Sequence, residues 1–215
     1  MHIPDGFVSA PVAAAGWVAA AGLIAFAARR AERNLDERAI PLMGVAAAFI
    51  FAAQMVNFPV AGGTSGHLLG GALAAILLGP WAAIIVMTAV VALQALLFQD
   101  GGLAALGVNT LNMAVLTVLL TWAVYRGLAP LSRLHPVVPA VAAFAAAWLS
   151  VEAAAVATAF QLAVSGTSAL AVALPAMIGV HALIGIGEGL ITLGALALVR
   201  AARPDLLAWP ARAGA

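Results

Sequence analysis

The stretch LLGGALAAILLGPWAAIIVMTAVVALQALLF, residues 68–98, runs for 31 residues without a charge. A hydrocarbon core about 30 Å thick is crossed by roughly 20 helical residues, so this run is too long for one pass. Gly79-Pro80 divides it, because proline cannot continue a helix. The division predicts a short helix over 67–79 and a full one over 81–98. The rest of the chain agrees with a lipid setting. Hydrophobic residues make up 65% and charged residues 8%, whereas soluble domains carry about a quarter charged. The expected fold class is an all-α integral membrane protein of about seven helices. Its spans lie near 7–28, 40–57, 67–79, 81–98, 104–127, 137–163 and 172–200, in one transmembrane domain over 1–215.

The arginines set the expected orientation. Lysine is absent, and all nine basic residues are Arg. Arg29, Arg30, Arg33 and Arg38 lie in the first polar loop, Arg126 and Arg133 in a later one, and Arg200, Arg203 and Arg212 in the tail. With the N-terminus outside and the C-terminus inside, all nine face the cytoplasm, as the positive-inside rule requires. Met1, the AGGTSG loop and the QDGG loop then share the outer face. No Lys or Arg precedes the first apolar stretch, so a cleavable signal peptide is not expected and Met1 reads as the mature terminus.

Absences exclude whole classes. There are no cysteines, hence no disulfide and no thiolate metal site. Without Lys there is no Walker A loop, so any ATP-driven step needs another chain. Nothing points to nucleic acid.

The N-terminus carries the chemistry. In MHIPDG, the Met1 amine, the His2 amide nitrogen and the His2 Nδ1 close five- and six-membered chelate rings on one ion. The amide proton is lost only to a strongly Lewis-acidic metal. Three nitrogens then lie in one plane with a fourth corner open. Such a site suits Ni(II) or Cu(II), with Co(II) an acceptable substitute. His67, after the glycine-rich FPVAGGTSGH loop on the same outer face, is the candidate for the fourth corner. Pro4-Asp5-Gly6 is turn chemistry that folds the tail into the mouth of the bundle. The side chain of His2 is too large for ordinary methionine removal, so the amine is expected to persist.

The motifs MHIPDG, FPVAGGTSGHLLGG, LFQDGGLAALGVNTLNMA and HALIGIGEGLIT together resemble the CbiM/NikM family, the substrate-binding S components of energy-coupling-factor transporters for cobalt and nickel. The resemblance runs through nearly the whole chain. It implies a seven-helix S component whose N-terminal tail plugs the outer cavity. It also implies a metal held by the Met1 amine, the His2 amide and imidazole, and His67. Co(II) or Ni(II) is then the transported substrate, and no nucleotide binds this chain. The implied partners are a transmembrane coupling component and cytosolic ABC ATPases in the cytoplasmic membrane of a prokaryote, with a small additional membrane subunit as a further candidate. Many cobalt members read HIMEG where this chain reads HIPDG, which leaves the choice between the two metals open.

Metal-bound histidines usually donate their second ring N–H to an acceptor. Asn57, Thr64 and Ser65 are the nearest candidates in sequence, and Asn109 and Asn112 are expected to line the cavity. Inside the spans lie Glu152, His181 and Glu188, and ionisable groups there face the bundle interior. His181 falls about 13 Å below the outer helix end at 1.5 Å per residue, suited to supporting the site. Glu188 reads as a structural partner, and His135, beside Arg133, as a solvated loop residue.

Two rivals share these residues. Gly63-Thr64-Ser65-Gly66, continued to Gly70, matches the GxSGxxxG of rhomboid intramembrane proteases, with Ser65 as nucleophile and His181 as base. Ile184 stands where that pattern wants glycine, and the protease reading leaves His2 unexplained. A stand-alone carrier lacks a polar stripe through the bilayer.

Overall fold

The computed structural model describes residues 1–34, 39–60 and 64–207. Arg38, Arg212 and Gly62-Gly63 lie outside the described residues. In chain order the helices are α1 (Ala10–Asn34), α2 (Ala39–Gln54), α3 (Gly71–Leu78), α4 (Pro80–Leu97), α5 (Leu106–Thr110), α6 (Thr117–Leu128), α7 (Val138–Val164) and α8 (Leu170–Ala202). A π-helical turn, Leu111–Leu116, joins α5 to α6 so that they form one rod. Among the described residues, five helical segments are long and apolar enough to cross a membrane, and α2 is a shorter apolar helix of 16 residues. The protein is a multi-pass, all-α membrane protein.

The expected break at Gly79-Pro80 is present, with Pro80 at the first position of α4. The short helix differs from expectation at its start. It begins at Gly71, not residue 67; residues 67–70 are non-helical, and Gly70 is left-handed at φ 78°. Before them the chain folds into a two-stranded antiparallel ribbon, β1 (Phe58–Val60) with β2 (Thr64–Gly66), where a plain loop was expected.

Small residues set the packing. α7 lies along α8, and a Cβ placed on Gly189 would stand 2.5 Å from the Phe144 ring. Trp148 Nε1 donates to the Ala182 carbonyl at 3.1 Å across the same seam. Glycine and alanine let these backbones approach, which is how helices associate where lipid removes any hydrophobic drive between them. The outward faces of α1 and α8 carry largely exposed apolar side chains such as Val18, Leu183 and Leu198.

The centre of one core cluster is unusual. Met1 is fully buried among Leu69, Met113, Met177 and the small residues Ala154, Ala155 and Ala159 of α7. The N-terminal residue is therefore part of the core.

Candidate metal centre

Four devices seat the tail. Pro4 to Phe7 make a turn, with Phe7 N donating to Pro4 O and Gly6 at φ 85°. The Asp5 carboxylate accepts the amides of Leu103, Ala104 and Ala105 at 3.0, 2.8 and 3.3 Å. Ile3 N donates to Asn109 Oδ1 at 2.9 Å, and Ile3 O accepts from Asn109 Nδ2 at 3.0 Å and from Gly102 N at 2.9 Å. Farther out, Thr167 Oγ1 donates to Phe7 O at 2.6 Å. Gly102 permits the approach, since a Cβ there would lie 2.1 Å from Asp5 Oδ1.

These anchors bring Met1, His2 and His67 to one point. The Met1 amine lies 2.9 Å from His67 Nε2, and the His2 and His67 rings stack with centroids 4.7 Å apart. The amine also donates to the Ser65 carbonyl and lies 3.1 Å from Ser65 Oγ, which accepts the His2 amide at 3.3 Å. His67 Nδ1 faces the Leu68 carbonyl at 2.6 Å. A carbonyl only accepts, so the ring proton sits on Nδ1 and Nε2 presents a lone pair to the amine. His2 is arranged in the opposite sense. Its Nε2 meets Gln94 Oε1 at 3.0 Å, so Nε2 carries the proton and Nδ1, the nitrogen of the six-membered chelate ring, carries the lone pair.

Distances suit a metal as well as a proton. Two nitrogens bound at about 2.0 Å to one ion and at right angles stand about 2.8 Å apart, close to the separation of the amine and His67. His2 Nδ1 also stands 3.3 Å from Asp100 Oδ1. A lone pair facing a carboxylate is attractive only with a proton or a cation between them. The turn that aims Asp100 inward uses left-handed backbone at Gln99, φ 55°, and Gly101, φ 95°.

Electrostatics keep the nitrogens neutral. Burial lowers the Met1 amine to about 4, with Asp100 pulling weakly the other way. Burial, then the nearby amine, lowers His2 to about 3, against the raising effect of Gln94. His67 falls well below the ordinary histidine value for the same two leading reasons. The contact of His2 with Asp100 is therefore not an ion pair of a cationic imidazole. Uncharged amine and imidazole nitrogens are what metal coordination requires.

The remaining candidates sort by contact. Ser65 is at the site. Asn57 reaches only its rim, where its Nδ2 donates to Asp100 Oδ2 at 3.1 Å and not to a histidine. Asn109 holds the tail backbone. Asn112 stands one contact back: it pairs with Gln161 at 2.6 and 2.8 Å and donates at 3.2 Å to Thr158, whose Oγ1 lies 3.8 Å from Met1 Sδ. The Thr64 side chain lies outside the described residues. His181 is buried, with Nδ1 2.7 Å from the Met177 carbonyl, and makes no hydrogen bond to His2 or His67. His135 is exposed, accepting the Val137 amide at 3.2 Å. Nothing supports the protease alternative: the Ser65 hydroxyl faces the amine and the His2 amide, while His181 is turned to its own helix. Sequence reasoning missed Gln94, Asp100 and the anchoring role of Asp5. A lone amide in the apolar helix α4 was the available signal for Gln94.

A family model described as CbiM, the cobalt uptake substrate-specific transmembrane region, matches residues 2–206. The chain belongs to the CbiM family. Among its relatives, the fused nickel transport protein NikMN of Rhodobacter capsulatus is 38% identical over 100% of this chain and 66% of its own length. The CbiM cobalt transport protein of Sorangium cellulosum is 32% identical, covering 96% of this chain and 94% of its own. A solved crystal structure of a truncated transition metal transporter superposes with a TM-score of 0.88 at 33% identity, over 94% of this chain and 99% of that one.

Proposed function

We propose that this CbiM-family protein, a membrane component of cobalt and nickel transport, captures Co(II) or Ni(II) as cargo at the chelate of Met1, His2 and His67. The Met1 amine, the deprotonated His2 amide and His2 Nδ1 supply three corners of a plane, and His67 Nε2 supplies the fourth. The observation that carries this reading is the buried 2.9 Å approach of the amine to His67 Nε2. All-nitrogen planar coordination favours these ions over the oxygen-seeking Mg and Ca.

The tail is both ligand and gate, because the segment that supplies three donors also closes the cavity. The protein is the substrate-binding S component of an energy-coupling-factor importer, seven-helical, with the tail outside and the arginines inside the cytoplasmic membrane of a prokaryote. A transmembrane coupling component and ABC ATPases supply the motion and the nucleotide site.

The test compares Ni(II) and Co(II) binding of the chain ending at Met1 with that of a form extended by a few residues before it. The extension removes the amine and leaves the helices intact. Binding should collapse; unchanged affinity would place the ligands elsewhere.

A further inference from the structure

Residues 67–70 are non-helical although they lead straight into the buried helix α3. Non-helical backbone at membrane depth is tolerated only where protein satisfies its polar groups. Here three different parts of the chain do so. Glu188 on α8 accepts Leu69 N and Gly70 N, each at 2.7 Å, one on each carboxylate oxygen. Gln54 at the end of α2 donates to Leu69 O. His67 itself donates to Leu68 O. Glu188 and Gln54 are both almost wholly buried, as is Leu69.

This arrangement bears on the metal. Leu69 N is two residues from His67, at most about 7 Å of chain, and no slack separates them because the intervening carbonyl is tied to the His67 ring. The place of His67 Nε2 is thus referred to α8 through Glu188. Charge points the same way. A divalent ion bound by one deprotonated amide and three neutral nitrogens leaves one net positive charge in a buried setting, where charge is costly; Asp100 faces it on the His2 side, and Glu188 is the carboxylate behind His67. Both Glu188 oxygens accept N–H groups, which is how an ionised carboxylate is used.

We propose that Glu188 is the positioning residue of the metal centre: it holds the 67–70 segment so that His67 Nε2 completes the plane, and its carboxylate offsets the charge that the cargo brings. The proposal rests on the chelate reading above. It assigns Glu188 no contact with the ion.

The experiment uses the full chain with its Met1 amine free, and compares Glu188→Gln and Glu188→Asp with His67→Ala. Three quantities are read: Ni(II) affinity by competition with a chromophoric chelator, the d–d absorption band of bound Ni(II), and the unfolding temperature of the metal-free protein. Glu188→Gln keeps the shape and one acceptor but loses the charge. It should bind ten- to a hundredfold more weakly, the usual cost of disturbing a partner of a ligand. Glu188→Asp keeps the charge but retreats by a methylene, so it should shift the band as His67 moves. A carboxylate that only seals the backbone would lower the unfolding temperature and leave affinity and band untouched, and that result overturns the proposal. If Glu188→Gln fails to fold, Glu188→Asp decides alone: a wild-type affinity and band overturn the proposal, while weaker binding with a shifted band supports it. His67→Ala separates the two readings. Loss of binding there with wild-type behaviour in both Glu188 variants defeats this proposal only, whereas wild-type binding in His67→Ala defeats the chelate and this proposal together.

Discussion

Asn109 pairs with the backbone of Ile3 through both ends of its amide, as one strand pairs with another: Oδ1 accepts Ile3 N at 2.9 Å and Nδ2 donates to Ile3 O at 3.0 Å. Asn109→Ala removes both bonds. At about 1 kcal/mol net for each, the docked tail loses about 2 kcal/mol, and metal affinity should fall roughly thirtyfold with the helices unchanged. A chelator-competition titration measures this.

Gly102→Ala tests the steric side of the same dock. The added Cβ would meet Asp5 Oδ1 at 2.1 Å and Asp5 N at 2.3 Å, and Asp5 cannot retreat without releasing the amides of Leu103, Ala104 and Ala105. The tail should leave its seat, Ni(II) binding should fall by more than tenfold, and residues 1–8 should become the site of first protease cleavage. Cleavage mapped by mass spectrometry in the same place and at the same rate as wild type would refute the steric argument.

Gln94→Leu should cost ten- to a hundredfold in Ni(II) affinity, because nothing then directs the His2 proton to Nε2 and keeps Nδ1 open for the chelate. The same variant should leave the metal-free unfolding temperature nearly unchanged, since leucine fits an apolar helix face. Isothermal titration beside a thermal scan separates the two effects.

Tail docking should weaken as pH falls. A free tail titrates near 8.0 at the amine and near 6.5 at His2, while burial in the docked state lowers these to about 4 and about 3. Between those limits the free tail holds more protons than the docked one, so acid favours release. The loss begins below 8.0 as the free amine is protonated, steepens below 6.5 as His2 joins it, and levels off only near 3. Hydrogen exchange of tail amides in the metal-free protein, corrected for intrinsic exchange rates, should show protection falling from pH 8 to pH 5. Flat protection over that window means that docking is not coupled to these protons.

The proposed site was legible in part because chelation is local. Met1 and His2 are neighbours, and ring sizes alone make them candidates before any fold is known. What could not be read depends on contacts far apart in sequence. His2 meets Gln94 across 92 positions, and Leu69 meets Glu188 across 119. Asn112 could not be placed from spacing. Three residues from Asn109 implies one helix face, but the π-helical turn that begins at Leu111 changes the residues per turn, and Asn112 reaches the Met1 side chain only through Thr158 of α7. The start of α3 was misplaced for a similar reason. Leu68, Leu69 and Gly70 are apolar enough to read as helix, and the groups that satisfy a non-helical path there include Glu188 and Gln54, distant in the chain. Helix positions in general followed from composition, since a chain with so few charges has few places to leave the bilayer.

The tail is joined to α1 by residues 3–9 alone, for α1 begins at Ala10. A donor group on so short a leash returns to its seat as an intramolecular event, at an effective concentration of millimolar order or above. Diluting the protein does not slow that return, and a free peptide of the same sequence competes poorly with it. If the tail gates the cargo as proposed, each opening of the mouth is brief by construction, and the time for an ion to enter or escape is set by the stiffness of seven residues of chain.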